Sequence, residues 1–475
     1  MSETEFEVLG RKFFQLEEDL NLLKKKIGGV FFWERVRFGI HKRLAAEIDV
    51  SERSAGDATT YQEYLDGVRL LLRNLFVRNP YFAPETELLF YGKGRRKQLN
   101  DGRWWDIYID PILETIEETQ VCLERPYNVG HATPARTDEL RYTDFIQYTG
   151  TLLEKLGIST VSLAAGERSL LRQITSEIRA RFGVEIPVEQ LVREELSQRR
   201  ARLPLYRRLV RRINPKIAFL IASYSGRETF VEACQSENIP VVELQHGVIS
   251  KYHLAYSFPG DDKHVFPDYF FSFGEFWSDM VDLPLPDENV FPVGYPYLEK
   301  RKTEYEQLET TDQVLVVSQV RVGERLSQFA LDLANATERD VVYKLHPKEM
   351  DGWRERYPQL QDSSVTIATG DTPLYELLAT SSIQVGVNST VLFEGLQFGL
   401  ETYVVDEPGR EYMNYLIEQG NATLIDSPDE FISAVTTEHN QQSADPSYFF
   451  EQDAAANFER AVTTVARRQG RDKVL

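Results

Sequence analysis

Cysteine is almost missing: Cys122 and Cys234 stand far apart, with no His or Cys at ligand spacing beside either. That leaves neither a disulfide framework nor a zinc site, and it points to a reducing compartment. Basic residues are too few to balance the acids, and the net charge of −20 at pH 7 sets aside broad nucleic-acid binding, because a phosphate backbone repels such a surface. No apolar run reaches the roughly 20 residues a bilayer span needs; Gly28-Gly29-Val30-Phe31-Phe32-Trp33 comes nearest. The start, Met1-Ser2-Glu3-Thr4-Glu5, lacks the basic-then-apolar pattern of a secretory signal. The Gly- and Arg-rich loop Gly92-Lys93-Gly94-Arg95-Arg96-Lys97 fits neither the Walker A pattern nor G-x-G-x-x-G. Sequence repeats and low-complexity tracts are absent. These absences describe a soluble, cytoplasmic protein.

What is present alternates strand and helix. A chain of 475 residues allows two or three domains of about 100–200 residues each. Short apolar runs such as Ile217–Ala222 and Val241–Leu244 are of the kind buried in parallel sheets, and they recur between helical stretches. Further strands are expected at 87–91, 120–123, 269–273, 314–317, 341–345, 365–368, 383–387 and 402–405, with helix over 170–212, to 336, over 374–379 and 390–398, and at 448–468. The polar stretch between Pro296 and Gln313 marks a domain boundary. The expected division is a helical extension at 1–85, a Rossmann-like acceptor domain at 86–300, a Rossmann-like nucleotide-donor domain at 301–445 and a C-terminal helix at 446–475. The expected fold class is α/β, with two Rossmann-like domains facing a central cleft.

Residues 5–45 read as helix, followed by a polar break at Ser51–Thr60. Lys24-Lys25-Lys26, Arg35, Arg37, Lys42 and Arg43 flank the aromatic cluster Phe31–Trp33. A basic amphipathic stretch can lie on an anionic membrane, so residues 24–43 offer peripheral contact with the inner membrane face. A helix packed on its own domain explains the same pattern.

Chemistry concentrates in Val341–Glu394. One strand runs into Lys344-Leu345-His346-Pro347, and a second ends in Gly386-Val387-Asn388-Ser389-Thr390. In open α/β sheets ligands bind where carboxyl ends of strands meet helix N-termini. Lys344 and His346 alternate onto one face and could neutralise a departing diphosphate; a surface lysine and a structural histidine before a turn fit the spacing too. Ser381, Ser382, Asn388, Ser389 and Thr390 supply hydroxyl and amide groups for phosphate, beyond what one helix cap needs. Glu394, four residues past Thr390, shares its helix face and suits ribose hydroxyls. Asp371-Thr372-Pro373 is an ordinary helix start.

In the first half, the strand Val241–Leu244 ends in Gln245-His246-Gly247. His246 has the unperturbed pKa to take a proton from an acceptor hydroxyl near neutral pH. Ser225 and Arg227, in Ser223–Glu228 at the end of the preceding strand, line the same region with Gln245 and Gly247. The Gly92–Lys97 loop suits an anionic acceptor or a solvated basic loop. Trp104–Pro111 suits sugar stacking or an aromatic core strand. Val293-Gly294-Tyr295-Pro296 could hinge a domain closure.

Gln245-His246-Gly247, Val293-Gly294-Tyr295-Pro296, Lys344-Leu345-His346-Pro347 and Ser381-Ser382 through Glu394 occur in an order that resembles GT-B fold transferases of surface-polymer synthesis. The nearest are capsule polysaccharide biosynthesis proteins, CDP-glycerol glycerophosphotransferases and bacterial sialyl- or polysialyltransferases, over about residues 215–425. The resemblance implies inverting transfer from a nucleotide-activated donor to a surface-glycan or lipid-linked acceptor. It implies no tightly bound metal or cofactor, and a CMP-, CDP- or UDP-linked sugar as co-substrate. It also puts His346 and the Ser/Thr cluster on donor phosphate and His246 beside the acceptor, making His246 and His346 the catalytic pair. The chain departs from the pattern twice. The acidic pair before glycine that carries the base in some sialyltransferases has no clear counterpart. The Asp-Tyr-Ser-Ser form of glycerophosphotransferases is replaced by Val387-Asn388-Ser389-Thr390. A nucleotide-sugar 2-epimerase and a non-catalytic nucleotide-sugar-binding component of a glycan assembly complex are the alternatives.

Overall fold

The structure, a computed structural model, describes residues 4–48, 61–94, 96–99, 101–127, 130–258, 260, 263–370, 372–436, 441 and 445–470. The polar break at Ser51–Thr60, Arg95 of the basic loop and the helix-cap candidate Asp371 lie outside the described residues.

The chain forms two compact units. The larger comprises Leu9–Tyr297 with Glu451–Leu475, and the smaller Met1–Val8 with Leu298–Phe450. The chain passes between them within the helix Pro296–Tyr305.

Seven parallel strands build the larger unit's sheet: β1 Leu88–Gly92, β2 Gln120–Glu124, β3 Leu140–Tyr142, β4 Ile217–Ile221, β5 Val241–Leu244, β6 Tyr269–Ser272 and β7 Val290–Pro292. Their order is β7-β6-β5-β4-β1-β2-β3. Every residue of β1, β4 and β5 is buried, as expected for parallel strands covered on both faces.

The smaller unit has six parallel strands: β8 Gln313–Val317, β9 Asp340–Lys344, β10 Thr366–Ala368, β11 Ile383–Gly386, β12 Glu401–Val405 and β13 Thr423–Ile425. Their order is β10-β9-β8-β11-β12-β13. Both sheets are doubly wound: the chain moves outward from a central strand in one direction, then returns and moves outward in the other. The reversal falls between β1 and β4 in the larger sheet and between β8 and β11 in the smaller. In such sheets, the crevice at the carboxyl ends of the two strands flanking the reversal receives ligands.

The N-terminal segment belongs to the larger unit's core from Leu9 onward. Two helices, Glu5–Asp19 and Trp33–Glu47, replace one continuous helix because Asn21, Gly28 and Gly29 all adopt positive φ. Phe13, Leu16, Phe32, Trp33, Ile40 and Leu44 are buried against the helices Ala165–Phe182 and Val188–Ile213.

Within residues 24–43 this packing turns two of the basic side chains inward. Arg37 is fully buried: Nε and Nη2 donate to the Glu17 carboxylate at 2.7 and 2.6 Å, and Nη1 donates to the carbonyls of Leu254 and Ser257. Arg35 is buried as well and pairs with Glu232 at 2.6 Å. Lys24, Lys25, Lys26 and Lys42 of the same stretch stay exposed. No helix among the described residues is long and apolar enough to cross a membrane.

Two other loops are committed to the fold. Arg96 lies in a short antiparallel ribbon, Arg96–Gln98 with Trp104–Asp106, and its Nε donates to Glu124 at 2.6 Å in a buried ion pair. Trp105 is buried on the partner strand, as a core strand requires. Gly294 has φ of +90°, and a Cβ there would lie 2.4 Å from the Glu451 carbonyl oxygen and 2.8 Å from the Ala454 Cβ. Glycine is therefore needed for the close approach of the helix Ala454–Arg468.

Candidate functional site

In the smaller unit the site is built on the strands flanking the reversal. β8 runs into Ser318-Gln319, and β11 into Val387-Asn388. Gln319 and Asn388 bond to each other twice: the Asn388 backbone N–H donates to Gln319 Oε1 at 3.0 Å, and Gln319 Nε2 donates to Asn388 Oδ1. This amide pair spans the crevice between the two strand ends. Asn388 also lies against the backbone of Gly409 beyond β12, where a Cβ would come within 1.8 Å of its Nδ2. Gly409 has φ of +108°, so both conformation and space call for glycine.

Ser389 caps the following helix, Thr390–Leu396: its Oγ accepts from the Val391 N–H at 3.3 Å. Glu394, one turn inside, is buried, and its Oε2 accepts from the Tyr375 hydroxyl at 2.5 Å. The helix can approach the sheet because Gly395 leaves room for Gln384, whose Nε2 donates to the Leu392 carbonyl and to Thr402 Oγ1.

β9 and β11 flank β8 on opposite sides, so their ends stand about 10 Å apart, two strand spacings. Lys344 ends β9, and its Nζ donates to the carbonyls of Thr369 at 2.6 Å and Thr372 at 3.2 Å. His346 caps the turn Pro347–Glu349: its Nδ1 accepts from the Lys348 N–H at 3.2 Å, and its own N–H donates to Glu349 Oε2 at 2.9 Å. An accepting Nδ1 places the neutral ring's proton on Nε2, making that atom the donor.

The structure thus gathers Asn388, Ser389, Thr390 and Glu394 at one strand end, with Lys344 and His346 two strands away on the same edge. Ser381 and Ser382 are not brought to that edge. They precede β11, at its amino end. Ser381 is buried, with Oγ donating to the Leu377 carbonyl and accepting from Gln313 Nε2, both at 2.7 Å. Residues on either side of Ile383–Gly386 lie at opposite edges of the sheet, so these two serines close a helix rather than join the group. Gln319 and Gly409 went unnoticed in the sequence, where a polar residue after a strand and a Pro-Gly pair look like ordinary turn chemistry.

In the larger unit, His246 follows β5 and lies among tyrosines. Nε2 is 3.1 Å from the Tyr224 hydroxyl, Nδ1 is 3.4 Å from the Tyr256 hydroxyl, and its carbonyl accepts from the Tyr108 hydroxyl at 2.7 Å. Tyr256 donates its proton to Glu243 Oε1, so it presents only lone pairs to Nδ1. The ring proton therefore sits on Nδ1, and Nε2 is the basic nitrogen, facing the Tyr224 hydroxyl. Burial raises the pKa of the Glu243 carboxyl. A chain Glu243–Tyr256–His246 thus fixes the imidazole tautomer, as an orienting acid does in hydrolytic triads.

Gln245 is structural here: Oε1 accepts from the Phe273 N–H at 2.7 Å and Nε2 donates to the Gly247 carbonyl at 2.9 Å, which fixes the loop carrying His246. Gly247 has open space at its Cβ position. Ser225 and Arg227 lie in the loop after β4. Ser225 is exposed with φ of +59°, and Arg227 is buried, with Nη2 donating to the Gly92 carbonyl at 3.3 Å.

No family model matches this chain, and no curated protein does. Solved structures of similar fold include the UDP-GlcNAc 2-epimerase of Methanocaldococcus jannaschii in complex with UDP-GlcNAc and UDP. It is 11% identical, aligned over 79% of this chain and 99% of that one, with a TM-score of 0.44. The UDP-GlcNAc 2-epimerase of Neisseria meningitidis bound to UDP-GlcNAc is 13% identical over 79% and 99%, at 0.46. The wall teichoic acid polymerase TagF is 10% identical over 88% and 100%, at 0.45. At these values no residue role is carried over from them.

Proposed function

We propose that this chain is an inverting transferase that moves a sugar, or a sugar or polyol phosphate, from a nucleotide-activated donor to a surface-glycan or lipid-linked acceptor. The observation that most supports this reading is the polar crossing of Gln319 and Asn388 at the reversal point of the smaller sheet, with a capped helix start beside it. A phosphate there would meet the N–H groups at the start of the helix Thr390–Leu396, the hydroxyls of Ser389 and Thr390, and the Asn388 amide.

In this reading His346 donates from Nε2 to the leaving phosphate, Lys344 supplies positive charge on the same edge, and Glu394 holds ribose. His246 Nε2 takes the proton of the acceptor hydroxyl in the place where Tyr224 now donates. The acceptor oxygen forms its bond to the transferred group as the bond to the nucleotide phosphate breaks. The acceptor proton goes to His246 and the electron pair to the leaving phosphate. Charge develops on that phosphate, so fixed donors there lower the barrier more than they strengthen ground-state binding.

The test is His346→Asn. Asparagine is also a good helix cap, so stability should stay within about 1 kcal/mol of wild type, while turnover should fall by tenfold or more. An equal loss of turnover and stability would contradict the assignment. Epimerised free sugar appearing without any acceptor would place the chain with the 2-epimerases instead. Nucleotide-sugar binding without turnover would make it a carrier.

A further inference from the structure

The reversal point of the larger sheet carries charge that no ion pair among the described residues balances. The loop after β4 has three positive-φ residues within five positions, Ala222 at +62°, Ser225 at +59° and Gly226 at +82°, and three arginines gather on it. Arg125, one residue past β2, donates from Nη1 to the Ser225 carbonyl at 3.0 Å. Arg202, from the helix Val188–Ile213, donates from Nη2 to the Gln147 carbonyl at 3.3 Å and to Thr151 Oγ1 at 3.4 Å. Arg227 donates to the Gly92 carbonyl, with its guanidinium 5.3 Å from the Tyr91 ring centroid.

Among the described residues none of the three forms an ion pair. Arg202 and Arg227 are 7% and 6% exposed, and each has an Nε with no hydrogen-bond partner. Burial, with Arg125 adding repulsion, holds both guanidinium pKa values below their ordinary level. The carboxylate acting on Arg202, Glu195, is itself 3.8 Å from Arg35. Glu228 accepts from the Gly226 N–H at 2.8 Å. One point, where a Cβ on Gly226 would sit, is 3.8 Å from Arg202 Nη1 and 4.0 Å from Arg125 Nη1. Glycine keeps that point empty.

Guanidinium groups gathered without a carboxylate partner, two of them buried, are costly, and an anion beside Arg125 Nη1 and Arg202 Nη1 relieves that cost. Guanidinium groups meet phosphate oxygens in favourable paired geometry. We propose that Arg125, Arg202 and Arg227 form a binding site for a phosphate-type oxyanion at the reversal point of the larger sheet. Building on the transferase reading, the group bound is a phosphate of the acceptor. Tyr224 joins the site to the base, since it lies one residue before Ser225 and bonds to His246.

The test needs no turnover, so it stands or falls apart from the transferase reading. The full chain is titrated with inorganic phosphate at constant ionic strength, and its melting temperature is followed. Phosphate should raise the melting temperature of the wild type, Arg125→Gln should weaken binding by tenfold or more, and Arg179→Gln, at an exposed arginine of the same unit, should leave it unchanged. Arg125→Lys replaces Arg125→Gln if the latter fails to fold, and is expected to weaken binding because it loses the fork. An unshifted wild type, or equal shifts in wild type and the Arg125 variant, would overturn the site. A second arm uses phosphatidylcholine vesicles with and without phosphatidic acid. Arg125-dependent co-sedimentation with phosphatidic acid assigns a lipid phosphate, and phosphate binding without it assigns a soluble one.

Discussion

His246 is held by two phenols with opposite roles. Tyr256, whose proton is given to Glu243, orients the ring, and Tyr224 occupies the basic nitrogen. In the proposed reaction His246 is the base, so removing it should cost more than removing the orienting Tyr256. His246→Gln is expected to lower turnover by about 10²–10⁴, and Tyr256→Phe by less, with the acidic limb of the pH–rate profile moved because Nδ1 loses its acceptor. Steady-state rates across pH check both. At the other site, Gly409→Ala would place a methyl on the Asn388 amide in a left-handed backbone. We expect a loss of at least about 2 kcal/mol in denaturant unfolding. Pairing it with Asn388→Ala should recover part of that loss, as a double-mutant cycle would show.

Among the elements, the strands covered on both faces were legible from their apolar runs. Val241–Leu244 is a strand over the expected residues, and Ile217–Ala222 differs only at its end. In the two parallel sheets, three short strands were not legible: Leu140–Tyr142, Val290–Pro292 and Thr423–Ile425. Each is three residues long at a sheet edge, too short to show any periodicity and defined by its pairing partner. The expected helix over 170–212 is two helices, since Gly183 turns left-handed at +71° and Pro187 precedes the second. The strand-end residues of the candidate site could be found because chain position alone puts them there. Gln319 could not, because its role depends on the partner across the reversal. Nor could the displacement of Ser381 and Ser382 to the amino edge be read without the exact end of the strand.

The N-terminal helices make their own prediction. Glu17 and Arg37 form a buried pair that also ties Trp33 Nε1 to Glu17 at 2.5 Å. Glu17→Ala leaves an uncompensated buried guanidinium and should cost about 3–5 kcal/mol by chemical denaturation. Beside that pair, burial and then Arg37 push the pKa of His41 down to about 3. Between about pH 6.5, where an unfolded histidine titrates, and pH 3, the unfolded chain binds one proton more at this residue. Its contribution to stability is therefore complete above pH 6.5 and is lost as pH falls, by about 1.4 kcal/mol per unit. His41→Gln should flatten the acid side of the stability–pH curve by that slope.

For the whole molecule, both units repeat one design: a doubly wound parallel sheet with polar groups at the reversal point. In the smaller unit the crossing is neutral and amide-rich, beside a helix start. In the larger it is cationic, next to a histidine with a fixed tautomer. That contrast supports a division of labour in which one unit binds a nucleotide diphosphate and the other an anionic acceptor. The central claim is that the Gln319–Asn388 crossing binds the nucleotide donor. Its most direct measurement is a thermal-shift titration of the full chain with CMP-, CDP-, UDP-, GDP- and TDP-linked sugars, repeated on Asn388→Ala. One donor at 100 times its dissociation constant should stabilise the wild type by about 2.7 kcal/mol, and Asn388→Ala should shift that titration to at least tenfold higher concentration. A wild type that no donor stabilises, or a variant that binds as tightly as the wild type, would contradict the account.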